Sequence, residues 1–241
     1  MFLELFKRKK PIIAMLHLKG ENAEERLKMA AIEADIYAEC KVDAVLVEDY
    51  YGDVTDVENA LAYLSVKRPH YIYGVNVLDN FTKSYELALQ YGAKFMQLDS
   101  VCGHLTPEDE KAYLEVIDGY RKDEKIPVIG GVRFKYQKYL SNRSLEEDLE
   151  IGMRHCDAIA VTGAGTGMDT DMEKIRQFRK IMGEFPLIVA AGMTKETIKE
   201  KLSIADAAIV GSTFKDTRKD SGDVFAAHVK EFMDEVDRCF R

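Results

Sequence analysis

The sequence has no surplus of positive charge, no long apolar run and no paired cysteines, and each absence removes a class of protein. Its 241 residues carry 34 Lys and Arg against 42 Asp and Glu, a formal net charge of −8. An acidic chain repels a phosphate backbone, which excludes general nucleic-acid binding but not a local basic pocket for one small phosphate. The four cysteines (Cys40, Cys102, Cys156, Cys239) are scattered, with no C-x-x-C and no disulfide-like spacing. Reduced thiols and a cytoplasmic location are expected. No apolar stretch is long enough to span a bilayer, so no transmembrane segment is expected. The start, MFLELFKRKK, places its apolar run before its basic run, the reverse of a secretory signal.

What the sequence does have is alternation. Short apolar runs begin at Pro11, Asp43, Tyr71, Ala93, Ile126, Asp157, Pro186 and Asp206, separated by longer amphipathic segments. Continuous apolar runs suit strands buried on both faces of a parallel sheet. Capping boxes are expected at Thr55–Glu58, Ser144–Glu147 and Thr170–Glu173, Thr106-Pro107 offers an N-cap with proline behind it, and Thr194 can cap KETIKEKL. Strand and helix repeat about every 30 residues, and eight such units close a barrel. An open doubly wound sheet would show G-x-G-x-x-G after its first strand, and LHLKGENAEER does not. The expectation is an α/β fold, one (β/α)8 TIM barrel over residues 1–241. Residues 1–10 are read as a cap on its N-terminal end, or less favourably as an amphipathic turn on a membrane surface.

Barrel enzymes place chemistry at the C-terminal ends of strands. Those ends here carry His17, Glu48 with Asp49, Asn76, Asp99, Arg133 with Lys135, and then Thr162, Gly163, Gly165, Thr166 and Gly167. Gly192 and Thr194 follow the seventh strand, and Gly211, Ser212 and Thr213 the eighth. Glycines that bare backbone N–H groups, together with unpaired amides at a helix start, suit a phosphate. Any one of these turns alone would be read as a tight connection and nothing more. Glu48 at the barrel mouth can be a general base with a pKa raised by burial, or the partner of a nearby cation. Lys135 can hold an anion or form a Schiff base, and Arg133 competes for the first task. His17 and Asp99 complete the candidate catalytic set, and Asn76 joins the substrate-binding set. No H-E-x-x-H is present and the histidines are dispersed, so no cofactor is expected; a divalent ion on His17, Glu48, Asp49 and Asp99 is the weaker alternative.

KPIIAMLHL, VLVEDYYGDV, YGVNVLDN, DAIAVTGAGTG, VAAGMT and ADAAIVGSTFK together resemble the BtpA/SgcQ family nearly end to end. The resemblance implies a TIM barrel akin to phosphate-binding barrels such as phosphoribosylanthranilate isomerase. One branch of that family is associated with photosystem I biogenesis as a membrane-peripheral factor, and others accompany sugar uptake and metabolism. The chain departs from the family at its mouth: His17-Leu18-Lys19-Gly20 replaces a Pro- and Gly-rich loop, Lys135-Tyr136 replaces Lys-His, and Asp49 replaces an amide. The resulting expectation is an isomerase, epimerase or lyase of a small phosphorylated metabolite, a sugar phosphate or a nucleotide-derived compound. The alternative is a non-catalytic assembly factor in peripheral contact with a membrane. Homo-oligomerisation through helix faces stays open.

Overall fold

The computed structural model describes residues 2–123 and 125–240. Eight parallel strands pair in chain order and β8 returns to β1, closing the barrel. They are β1 (Ile12–Leu16), β2 (Ala44–Glu48), β3 (Ile72–Asn76), β4 (Phe95–Leu98), β5 (Val128–Gly131), β6 (Ala158–Val161), β7 (Leu187–Val189) and β8 (Ala207–Val210). Each lies inside one of the eight apolar runs. The helices are α1 (Ala23–Glu39), α2 (Val54–Lys67), α3 (Phe81–Tyr91), α4 (Pro107–Arg121), α5 (Leu145–His155), α6 (Met172–Met182), the short α7 (Ile198–Leu202) and α8 (Ala226–Phe240). No helix among the described residues is long and apolar enough to cross a membrane.

Successive strand side chains point to opposite faces, so each strand splits its residues between two cores. Ile12, Ala14 and Leu16 of β1, with Val45 and Val47 of β2, face outward and pack under the helices. Ile13, Met15, Ala44, Leu46, Ile129 and Ile209 face inward. Phe95 would overfill that interior but for its partner in register, Gly74. A Cβ at Gly74 would stand 2.3 Å from the Phe95 ring, so the glycine leaves the space that the ring occupies.

The N-terminal segment closes the bottom. A 3-10 helix, Phe2–Leu5, delivers Phe2 into the inner cluster, fully buried and edge-on to Phe95 with centroids 5.7 Å apart. Leu3, Leu5 and Phe6 pack against the same cluster. The apolar half of MFLELFKRKK thus covers the barrel end, which leaves little apolar surface for a bilayer; Met1 lies outside the described residues.

Helix starts follow the expected chemistry with small shifts. The boxes at Ser144 and the cap at Thr106 form as read. At α2 the cap is Asp53, boxed with Asp56, and at α6 it is Asp171. In both cases an aspartate takes the first-turn amides: Asp53 stands just before α2 and leaves Thr55 within its first turn, and Asp171 directly follows Thr170. Thr170 instead donates its hydroxyl to the Ala191 carbonyl (2.9 Å). Thr194 caps no helix, because α7 begins only at Ile198.

Phe2→Ala should cost about 3 kcal/mol, since it empties a sealed aromatic site. Urea denaturation measures this, and a loss below about 1 kcal/mol would show that the barrel end does not need its plug.

Candidate active site

The inward alternation continues past the apolar layers. Two residues beyond Met15 stands His17, two beyond Leu46 stands Glu48, two beyond Gly74 stands Asn76, and two beyond Phe95 stands Gln97. The same spacing that fills the barrel therefore lays a polar tier on top of it. His17, Glu48, Asn76 and Gln97 are all buried.

Register sets Glu48 opposite Asn76 across β2 and β3. Asn76 Nδ2 donates to Glu48 Oε2 (2.7 Å) and to Asp99 Oδ1 (3.0 Å), so one amide bridges two carboxyl groups. Gln97 Nε2 also donates to Asp99 Oδ1 (2.7 Å). Burial pushes the Glu48 carboxyl up to about 8, and the neighbouring Asp99 carboxylate adds to the rise. Asp99 is raised too, first by burial. Glu48 holds a proton at neutral pH first because burial penalises its charged form, and then because the Asp99 charge repels it. His17 moves the other way, to about 3, through burial and then the cations Lys215 and Lys135. Its ring, packed 4.9 Å from Tyr50, stays neutral.

Above this tier opens a small cleft at the C-terminal rim of the barrel. His17, Glu48 and Gln97 line it together with Lys135, Thr166, Gly167, Gly192, Met193, Gly211, Ser212 and Thr213. The loops after β5 to β8 thus converge on the polar tier. Ser212–Phe214 is a single 3-10 turn, and its first amides, at Ser212 and Thr213, make no hydrogen bond among the described residues. The amides of Gly167, Gly192 and Met193 are likewise uncommitted among the described residues. Gly192 sits at φ +63, with a would-be Cβ 2.3 Å from the Met168 carbonyl, so only glycine lets the β6 and β7 loops approach this closely. Lys201, 1% exposed, locks the same two loops by bonding Asp169 and the Gly192 carbonyl.

Not every residue expected here arrives. Arg133 takes a left-handed backbone (φ +47), which breaks the alternation and gives its inward place to Phe134. The Arg133 guanidinium turns to Asp148 (3.0 Å) and Tyr139 (2.9 Å), away from the cleft. Thr194 lies beside the cleft with its amide occupied by Thr197 Oγ1 (3.0 Å). Gly165 is covered by Tyr136 and Met168, and Gly163 packs on the Asp169 carbonyl; neither lines the cleft. Thr162 is fully buried and acts on Lys135 instead, its Oγ1 accepting the Lys135 amide (2.9 Å). Thr166 gives its amide to Tyr136 Oη and accepts from Lys135 Nζ (3.2 Å), which aims the ammonium across the mouth. Asp49 turns outward to accept the Leu78 amide (2.9 Å), and no group of three metal-ligating side chains forms among the described residues. Gln97, Phe134 and Lys201 were not singled out. A lone amide two residues before Asp99, in an otherwise apolar run, was a readable signal for Gln97; the other two depend on loop geometry.

A closed parallel barrel with a polar cleft at its C-terminal rim defines the class. The chain belongs to the BtpA family, whose model matches residues 8–238. It is 25% identical over 96% of its length to an uncharacterized protein of Methanocaldococcus jannaschii, with 96% of that protein covered. It is 28% identical to one of Pyrococcus horikoshii, over 86% of this chain and 88% of the other. SgcQ, an sgc region protein of Escherichia coli, is 27% identical over 68% of this chain and 63% of its own length. Among solved structures the chain resembles native KDPGal (TM-score 0.66, 11% identity, 97% and 96% covered). It also resembles phosphoribosyl anthranilate isomerase from Thermus thermophilus (0.63, 15%, 95% and 98%) and thiamine phosphate pyrophosphorylase from Pyrococcus furiosus (0.60, 17%, 96% and 96%).

The raised Glu48 carboxyl has a consequence for stability. From its ordinary value near 4.5 up to about 8, the folded chain keeps a proton that the unfolded chain has released. Stability therefore falls as pH rises through that window. Glu48→Gln removes the titration, so its melting temperature should gain on the parent chain steadily from pH 5 to pH 8. Parallel melting curves across that range would show that Glu48 is not held protonated.

Proposed function

We propose that this protein is an enzyme of a small phosphorylated metabolite, a sugar phosphate or nucleotide-derived compound, working by proton transfer in an isomerase, epimerase or lyase reaction. The observation that carries the reading is the meeting of uncommitted amides from the β6, β7 and β8 loops with a buried, protonated carboxyl group in one cleft. Gly167, Gly192, Met193, Ser212 and Thr213 hold the phosphate, as backbone donors do at barrel rims. Glu48 delivers and recovers the proton, with a pKa near the working pH as general acid–base chemistry requires. Asp99, tied through Asn76, keeps the pair's second charge in place. Lys135, steered by Thr166, steadies negative charge developing on the substrate oxygen.

The fold neighbours support this by analogy, since phosphoribosyl anthranilate isomerase and thiamine phosphate pyrophosphorylase are named for phosphorylated compounds. The reading takes residues 1–241 as one domain that works in the cytoplasm, where its four free thiols stay reduced.

Inorganic phosphate should raise the melting temperature of the parent chain in a concentration-dependent way. Ser212→Asp, which sets a carboxylate among the donor amides, should abolish that rise while leaving the unliganded melting temperature within a few degrees. An equal response in both proteins would remove the anion from this cleft.

A further inference from the structure

Two buried polar atoms of residues that line the cleft have no partner among the described residues. They are Gln97 Oε1 and His17 Nδ1, each without a hydrogen bond to any described residue. Orphaned buried groups of this kind are rare in folded proteins and each calls for a partner, which in residues that line a cleft a bound ligand can supply. The Gln97 orphan is not a matter of which way the amide is turned. Its Nε2 donates to Asp99 Oδ1 (2.7 Å), and reversing it would press the amide oxygen against a carboxylate. The oxygen is therefore fixed as an acceptor waiting for a hydrogen.

The His17 ring complements it. Packed against Tyr50 and flanked by lysine charge, the imidazole is neutral, so one nitrogen donates and the other accepts. A hydroxyl group satisfies Nδ1 in either tautomer, because it both donates and accepts; a simple N–H or a carboxylate serves only one of them. Glu48 and Asp99 stand in the same tier, joined by Asn76. A second negative charge on the ligand at this end would face two carboxyl groups and the Gln97 oxygen.

We infer that the cleft takes a polyhydroxylated phosphate monoester whose end remote from the phosphate is an uncharged hydroxyl-bearing carbon chain, read by Gln97 and His17, and not a carboxylate. This rests on the phosphate-binding reading above and narrows it. The rim of amides and Lys135 fixes the anionic head, and the polar tier selects the tail by hydrogens that it must supply.

Titration calorimetry on the full chain tests this with four probes: inorganic phosphate, ribitol 5-phosphate, ribonate 5-phosphate and pentyl phosphate. Ribitol 5-phosphate should bind at least about tenfold more tightly than either the carboxylated or the alkyl ester, since a site built for hydroxyls leaves its own groups unpaired otherwise. Gln97→Met and His17→Phe should each erase most of that advantage while keeping the affinity for inorganic phosphate; either variant alone suffices if the other fails to fold. Binding of inorganic phosphate without any preference for ribitol 5-phosphate overturns the inference and spares the anion site. A preference that survives both substitutions also overturns it. No binding of inorganic phosphate removes both readings.

Discussion

One amide, that of Asn76, holds two carboxyl groups at the mouth of the barrel, and much of the site follows from it. Register across β2 and β3 brings Glu48 to Asn76, and the inward turn of β4 brings Asp99 to its other side. Two carboxylates in one desolvated place cannot both ionise, so the arrangement stores a proton at neutral pH. That proton is useful only if something nearby welcomes negative charge, and the amides at Gly192, Met193, Ser212 and Thr213, with Lys135, provide the opposite polarity on the other wall. The cleft is an electrostatic couple: a surplus of acceptors at one end and of donors at the other.

Keeping that couple fixed falls to groups that touch no ligand. Lys201 ties the β6 loop to the β7 loop from beneath. Asp148 and Glu110 gather Arg143, and Asp148 also takes Arg133, anchoring the long segment after β5. Lys215 pairs with Glu33 of α1 with both side chains almost wholly buried. Buried ion pairs of this kind add little net stability, but breaking one leaves an uncompensated charge, so they resist displacement. Rigid walls matter where donors must meet a guest within a few tenths of an ångström.

The barrel was legible because its cause is local: apolar runs at regular intervals need no knowledge of distant contacts. The polar tier was half legible. Glu48, Asn76, Asp99 and His17 end their strands and were found by position, whereas Gln97, one step earlier, was read as part of an apolar run. The rim was less so. Gly192 and Gly211 stand where expected, but Arg133 was displaced by a single left-handed residue, its own, and the helix expected to open at Thr194 starts four residues later. Loop conformation depends on which side chains happen to meet, such as Tyr136 over Gly165, and one chain carries no local trace of those meetings.

Phe2 has a consequence beyond packing. That ring and Phe95 finish the lower end of an interior already filled by Ile13, Leu46, Ile129 and Ile209, so the cleft opens at the C-terminal rim. A ligand held as proposed would enter tail first and leave head first. On the proposed reading a spent molecule would block its successor until its anionic head let go of the rim, so the grip on that head would bear on how fast the site empties as well as on what it catches.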